Sequence, residues 1–220
     1  MESHRRRSAL TLSSLAALVV AAPLLTACGN DAHPGAAAVI EGDRISMAQL
    51  QSRAGAVRDA QRDAPQGEQM IKQSGQLTRA TLDGMIRERI VARAAEDAGV
   101  GVSRREVQQV RAQIERQAGG SKQLKTSLLR QQAIAPDEID ERLRMQIRVE
   151  KIAKAEGINP QSPQGNQQLN AKLGEVSKAM KIDVNPRYGK WDEKKSTLAN
   201  TKTPWLRDLT GDAADRQQRA

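Results

Sequence analysis

The sequence predicts a mainly α-helical domain closed by a small pair of short strands near its two ends. Three observations predict it. Apolar residues recur at helical spacing between Leu82 and Met180, capping signals mark helix starts, and the residues around Val39 and Ile182 read as short strands beside turn signals. The chain has no phenylalanine, and Tyr188, Trp191 and Trp205 are its aromatic residues. The core must therefore be built from Leu, Ile, Val, Met and Ala, among which Ala, Leu and Met are strong helix formers.

Ala36 to Ile45 (AAAVIEGDRI) gives a short apolar stretch, a Gly42-Asp43 turn and another apolar residue, which predicts a strand ending in a tight turn. Ser46 followed by Gln49 is the pattern of a capping box, so a helix begins there. Leu82, Met85, Ile86 and Ile90 fall on one face of a helix for which Gly99 supplies the stop. Ser103 and Glu106 form a second capping box with Val107, Val110 and Ile114 as the stripe behind it, and Gly119-Gly120 ends that helix. Leu124 and Leu128 mark a short helix. Ala135-Pro136 opens a longer one, with proline suited to the first turn, Asp137 and Glu138 favourable at its positive end, and Ile139, Leu143 and Ile147 on its buried face.

Gly157 to Asn166 holds two prolines and two glycines and reads as an internal linker. Ser162-Pro163 then starts a helix carrying Leu169, Leu173, Val176 and Met180. Lys181 to Val184 changes to alternation before the Asn185-Pro186 bend, which predicts a strand pairing with the one near Val39. From Lys194 the chain is polar apart from Pro204-Trp205-Leu206, so residues 194–220 read as a disordered tail.

At the amino end, Arg5, Arg6 and Arg7 precede an apolar run that finishes in small residues, the layout of a secretory signal peptide. The run ends in Leu25-Thr26-Ala27-Cys28, which resembles a bacterial lipobox. That resemblance implies cleavage between Ala27 and Cys28, a diacylglycerol on the Cys28 thiol and further acylation, such as palmitate, of the new amino terminus. Residues 1–27 are then the signal peptide, 28–35 a flexible tether, 36–193 the helical domain and 194–220 the tail. With each buried methylene contributing about 0.8 kcal/mol, two or more acyl chains hold a protein durably on a membrane. The expected location is the extracytoplasmic face of the cell membrane. Cys28 is also the single cysteine, so its lipidation leaves no disulfide for the domain.

Cleavage before Cys28 removes three arginines and one glutamate from a chain of net charge +9 and leaves +7. The signs are interspersed, the pattern of solvated helix faces, and no nucleic-acid motif or stacking platform accompanies them. Nucleic acid is therefore not an expected partner. His33, in the tether, is the one histidine beyond residue 27, so no Ser-His-Asp, Cys-His or metal-ligand spacing can be assembled in the domain. Asp137 and Asp140 read as helix-end and surface charge. No catalytic residue, metal or cofactor is assigned. Met47, Met70, Met85, Met145 and Met180 fall within the helical patterns as core filling, and methionine also suits promiscuous apolar surfaces.

Two segments resemble a known family. Val39-Ile-Glu-Gly42-Asp-Arg-Ile45-Ser46 resembles the opening of extracytoplasmic SurA/PrsA-type folding factors, where a valine, a glycine turn and an Ile-Ser step lead from strand into helix. Ile182 to Asp192, with Asn185, Pro186, Tyr188, Gly189 and Trp191, resembles the segment that returns to close the same domain, and the similarity runs in the same order over residues 36–192. The resemblance implies a SurA N-terminal-like helical module that holds unfolded or newly exported polypeptides. Tyr188 and Trp191 are expected to pack the closing strand onto the helices. Many members insert a parvulin prolyl isomerase domain before the closing segment. This chain has a short linker between Glu156 and Gly165 and lacks parvulin-like histidines, so isomerase activity is not carried over. The expectation is an ATP-independent, lipid-anchored holdase on a Gram-positive membrane, the Ala- and Arg-rich composition suiting a GC-rich actinobacterium. The alternative is an adaptor lipoprotein that docks one dedicated envelope partner.

Overall fold

Residues 34–199 are described by the computed structural model. The expected signal peptide, the Ala27–Cys28 cleavage and lipidation site, His33 and residues 200–220 lie outside the described residues. The element order is β1 (Ala36–Ile40), β2 (Asp43–Ser46), α1 (Met47–Arg62), α2 (Gly67–Gln73), α3 (Leu77–Asp97), α4 (Arg104–Gln117), α5 (Ser121–Gln132), α6 (Ile139–Ala155), α7 (Pro163–Ala179), β3 (Ile182–Val184), β4 (Lys190–Asp192) and β5 (Thr197–Ala199). The fold is mainly α, with short antiparallel strands from both ends of the described chain, as the sequence predicts. Among the described residues no helix is long and apolar enough to cross a membrane.

The first apolar stretch becomes a hairpin rather than a strand followed by a turn. Residues Glu41 and Gly42 form its two-residue turn, both with positive φ (51° and 91°), the handedness that matches the twist of paired strands. The turn thus sits one residue earlier than Gly42-Asp43, because Asp43 pairs with Ile40. Glu41 tolerates its left-handed backbone where Arg93 of α3 holds its carboxylate at 3.1 Å and its N–H donates to the Met180 carbonyl. β3 pairs antiparallel with β1, Val39 opposite Asp183, giving a three-stranded sheet in the order β2-β1-β3.

Capping chemistry sets several helix starts. The Ser46 hydroxyl accepts from the Gln49 N–H while the Gln49 side chain accepts from the Ser46 N–H, and Ser103 and Glu106 reproduce the arrangement at α4. Ser162 caps α7, with Pro163 at its first position, so the predicted linker ends inside that helix. α6 begins at Ile139, later than Ala135-Pro136 predicts. Pro136 to Glu138 form a turn first, and the Glu138 carboxylate is taken by Arg53. Sequence periodicity also misses α2, a polar seven-residue helix held through Arg58, whose guanidinium donates to the Ile71 and Ser74 carbonyls.

Packing centres on α3, whose Leu82, Ile86 and Ile90 are buried with Leu50 of α1, Ile152 of α6 and Leu169 of α7. Burial of each such side chain contributes about 1.5–3 kcal/mol. Smaller clusters form under α5 (Ala54, Val57, Leu77, Leu129) and between α4 and α6 (Val107, Ile139, Leu143, Ile147).

The sharpest departure from expectation is at the carboxyl end. Thr197–Ala199, assigned to a disordered tail, pairs with β4 as a second hairpin, and Leu198 is buried. Its backbone is claimed by α3: the Asp83 carboxylate accepts the Leu198 N–H at 2.7 Å, and Arg79 donates to the Leu198 carbonyl. Local polarity hid this strand because the α3 side chains that hold it, Arg79 and Asp83, lie more than a hundred residues away.

Candidate functional site

The residues that carry the family resemblance build the strand layer. Val39 lies opposite Arg44 and Ile45 opposite Ala38 in the β1–β2 pair, Gly42 makes the hairpin turn, and Asn185 ties the closing segment to β1 by donating from its backbone to Ala37 and from its side chain to Ala36. Pro186 follows in a turn in which Tyr188 donates back to Asn185 and Gly189 back to Pro186. Gly189 adopts φ +122°, and a Cβ there would sit 2.4 Å from the Ala199 carbonyl oxygen, so only glycine fits beside β5. Tyr188 packs partly buried against the main core, and Trp191 is 5% exposed with its indole N–H donated to Ser177. These contacts are architectural.

Two adjoining clefts run along α3 and meet at Ala80, Gly84 and Arg142. One, of about 410 Å³, runs under α1 and the α5–α6 loop with Val57, Leu77 and Met85 on its walls. The other, of about 740 Å³, lies between α3, α6 and α7, walled by Ile90, Val91, Met145, Val149 and Leu173 and rimmed by Lys194 and Lys195. Together they make a trough with an apolar lining. Its floor exists because α3 carries Ala80 and Gly84 one helical turn apart, where larger side chains would close it; a Cβ added at Gly84 meets nothing within 4 Å. Of the methionines, Met85 and Met145 line the two halves, while Met70 and Met180 are buried.

The trough's first half is electrically neutral and cross-braced. Arg53 of α1 pairs with Glu88 of α3 at 2.7 Å and with Glu138 at 2.6 Å. Burial works against the Arg53 cation, but the hydrogen bond to Glu88 and the fields of both carboxylates outweigh it and hold its pKa above the ordinary arginine value. The second half is basic. Its charged residues are Arg87, Arg142, Lys194, Lys195 and Asp83, of which Asp83 is taken by Arg87 at 2.7 Å. Among the described residues no group of three or more His, Cys, Asp or Glu side chains is placed to hold a metal ion.

Sequence reasoning did not find this trough. Its signal was a pair of small residues four apart in a helix whose other face carries Leu82 and Ile86, a pattern that reads as ordinary helix composition until the neighbours on both sides are known.

A family model described as a SurA-like N-terminal domain matches residues 1–153, a span that holds the first hairpin and α1 to α5 and runs into α6. Comparison with curated proteins and with solved structures gives no match. Most of the chain is thus covered by a family associated with binding unfolded proteins, and the chain belongs to the SurA-like N-terminal domain family.

Proposed function

We propose that this protein is an ATP-independent chaperone of exported polypeptides, tethered to the outer face of the membrane by lipid on Cys28, and that it holds extended apolar segments in the α3 trough. The observation that carries the reading is an open, apolar-lined channel in a chain of this family, kept open by Ala80 and Gly84. Binding there needs no nucleotide. Burial of a client's apolar side chains supplies the affinity, and the shallow, solvent-connected site permits release. The lipobox-like Leu25-Thr26-Ala27-Cys28 supports the tether. The short passage from Glu156 to Gly165 supports a chaperone without parvulin chemistry, and catalysed cis/trans exchange on a proline peptide overturns that part.

The test is light scattering of chemically unfolded clients diluted into buffer with and without the chain from Gly29 onward, which carries every described residue. Suppression of aggregation of several unrelated clients near stoichiometric amounts supports the holdase. No suppression by folded protein overturns it in favour of an adaptor for one envelope partner.

A further inference from the structure

We propose that the trough selects its occupant by charge, taking extended polypeptide segments in which apolar side chains are flanked by aspartate or glutamate. This rests on the chaperone reading above and names its substrate class. The apolar walls continue through both halves of the trough, whereas the charge does not. In the half beside Arg53, one guanidinium is shared by the Glu88 and Glu138 carboxylates, and only Arg142, at the junction, brings that lining to neutrality. In the other half, Asp83 is consumed by Arg87 and by the backbone of Leu198, and among the described residues no carboxylate pairs with Arg142, Lys194 or Lys195.

Three features make these cations a recognition element rather than scattered surface charge. Arg142 stands where the two halves meet, so any segment long enough to use both passes it. Lys194 and Lys195 are exposed, and their backbone N–H groups are held on the Asp192 carboxylate at 3.0 and 3.1 Å. That bend belongs to the β4–β5 hairpin, which α3 fixes through Asp83 and Arg79. The two lysines are therefore presented on a braced turn at the edge of an apolar channel. A lysine-flanked segment meets like charge there, and an acidic flank completes pairs the protein leaves open. Since long-range attraction between exposed charges is screened within about 10 Å at ordinary ionic strength, the preference weakens with salt while the apolar contribution persists.

The experiment is fluorescence anisotropy of labelled peptides that share one apolar core and differ only in aspartate, serine or lysine flanks, titrated with the chain from Gly29 onward at low and high salt. Aspartate flanks are expected to bind about tenfold more tightly than lysine flanks, the scale of two or three exposed ion pairs, with the gap closing at high salt. Lys194→Glu with Lys195→Glu is expected to reverse the order. Arg142→Gln, a milder change at an exposed position, narrows it without reversing it, and circular dichroism confirms that both variants fold. Equal binding of all three peptides overturns the charge selection and leaves the holdase standing. Binding of none overturns the holdase itself. Self-association that saturates the trough and excludes every peptide seats a second copy there and overturns the proposal.

Discussion

The carboxylate of Asp83 accepts the backbone N–H of Leu198 at 2.7 Å across 115 residues of sequence. The same carboxylate receives the Thr197 hydroxyl at 3.2 Å and the Arg87 guanidinium at 2.7 Å, so one acidic side chain on α3 seats the last described strand. Hydrogen bonds to charged groups contribute about 1.5–3 kcal/mol. Asp83→Ala is expected to cost that much in urea unfolding and to raise amide exchange at Leu198. Unchanged exchange there would mean that β4 and Arg79 hold β5 without Asp83.

Trp191 tests the closing segment from the other side. Its ring is buried in the main core and its indole N–H is donated to the Ser177 hydroxyl at 2.8 Å, with Ser177 itself 1% exposed. Trp191→Ala removes the largest side chain of the closing segment and is expected to lower stability by about 3–5 kcal/mol. Ser177→Ala leaves the indole N–H buried and unpaired, at a cost of about 1–3 kcal/mol. Additive losses in the double variant would show that the pair is not coupled.

Much of the fold was legible because its determinants are local. Ser46 with Gln49 and Ser103 with Glu106 announce their helices within four residues, and Ile182 to Val184 alternates as a strand must. The stripe through Leu82, Ile86 and Ile90 is read from period alone. What was not legible depends on distant partners. β5 looks like polar tail until Arg79 and Asp83 are placed beneath it, and α2 is too short and polar to show a period without Arg58. The trough is defined by side chains that are missing, at Ala80 and Gly84, and by walls from α6 and α7 that no local pattern brings together. The residues singled out in the Val39 to Ser46 and Ile182 to Asp192 segments lie in the strands and turns and do not line the trough.

Gly84 separates stability from client binding. It lies mid-helix, where glycine costs about 1 kcal/mol against alanine, and an added Cβ there enters open space. Gly84→Ala is therefore expected to raise the urea midpoint. Gly84→Leu projects a branched side chain into the trough floor and is expected to abolish aggregation suppression in a protein at least as stable as the parent. A Gly84→Leu protein that still protects clients places their binding outside the trough.

The proposed tether rests on Cys28. Cys28→Ala removes the thiol that lipid modification requires, so radiolabelled fatty acid incorporation is expected to disappear and the chain to leave the membrane fraction or persist as precursor. Lipid labelling that survives the substitution refutes the lipobox.

Acid sensitivity is expected to concentrate on α4. Lys151 lies 2.5 Å from the Glu106 carboxylate, and Ser103 donates to it from its backbone N–H at 2.8 Å and its hydroxyl at 2.9 Å. The Lys151 contact first, then the two Ser103 hydrogen bonds, lower the Glu106 pKa from its ordinary 4.5 to about 2. Hydrogen bonding to Arg111 likewise holds the Asp140 carboxyl below its usual range. A folded pKa below the unfolded one means that the unfolded chain binds protons first as pH falls. The stabilisation is thus complete above pH 4.5 and is lost between pH 4.5 and about 2. Glu106→Gln keeps a side chain able to accept the capping hydrogen bond but has no proton to take up, so its urea midpoint is expected to fall less steeply over that window. Asp140 and Glu115, also lowered, retain part of the slope. An acid limb identical to that of the parent protein would show that Glu106 titrates alike in the folded and unfolded chains.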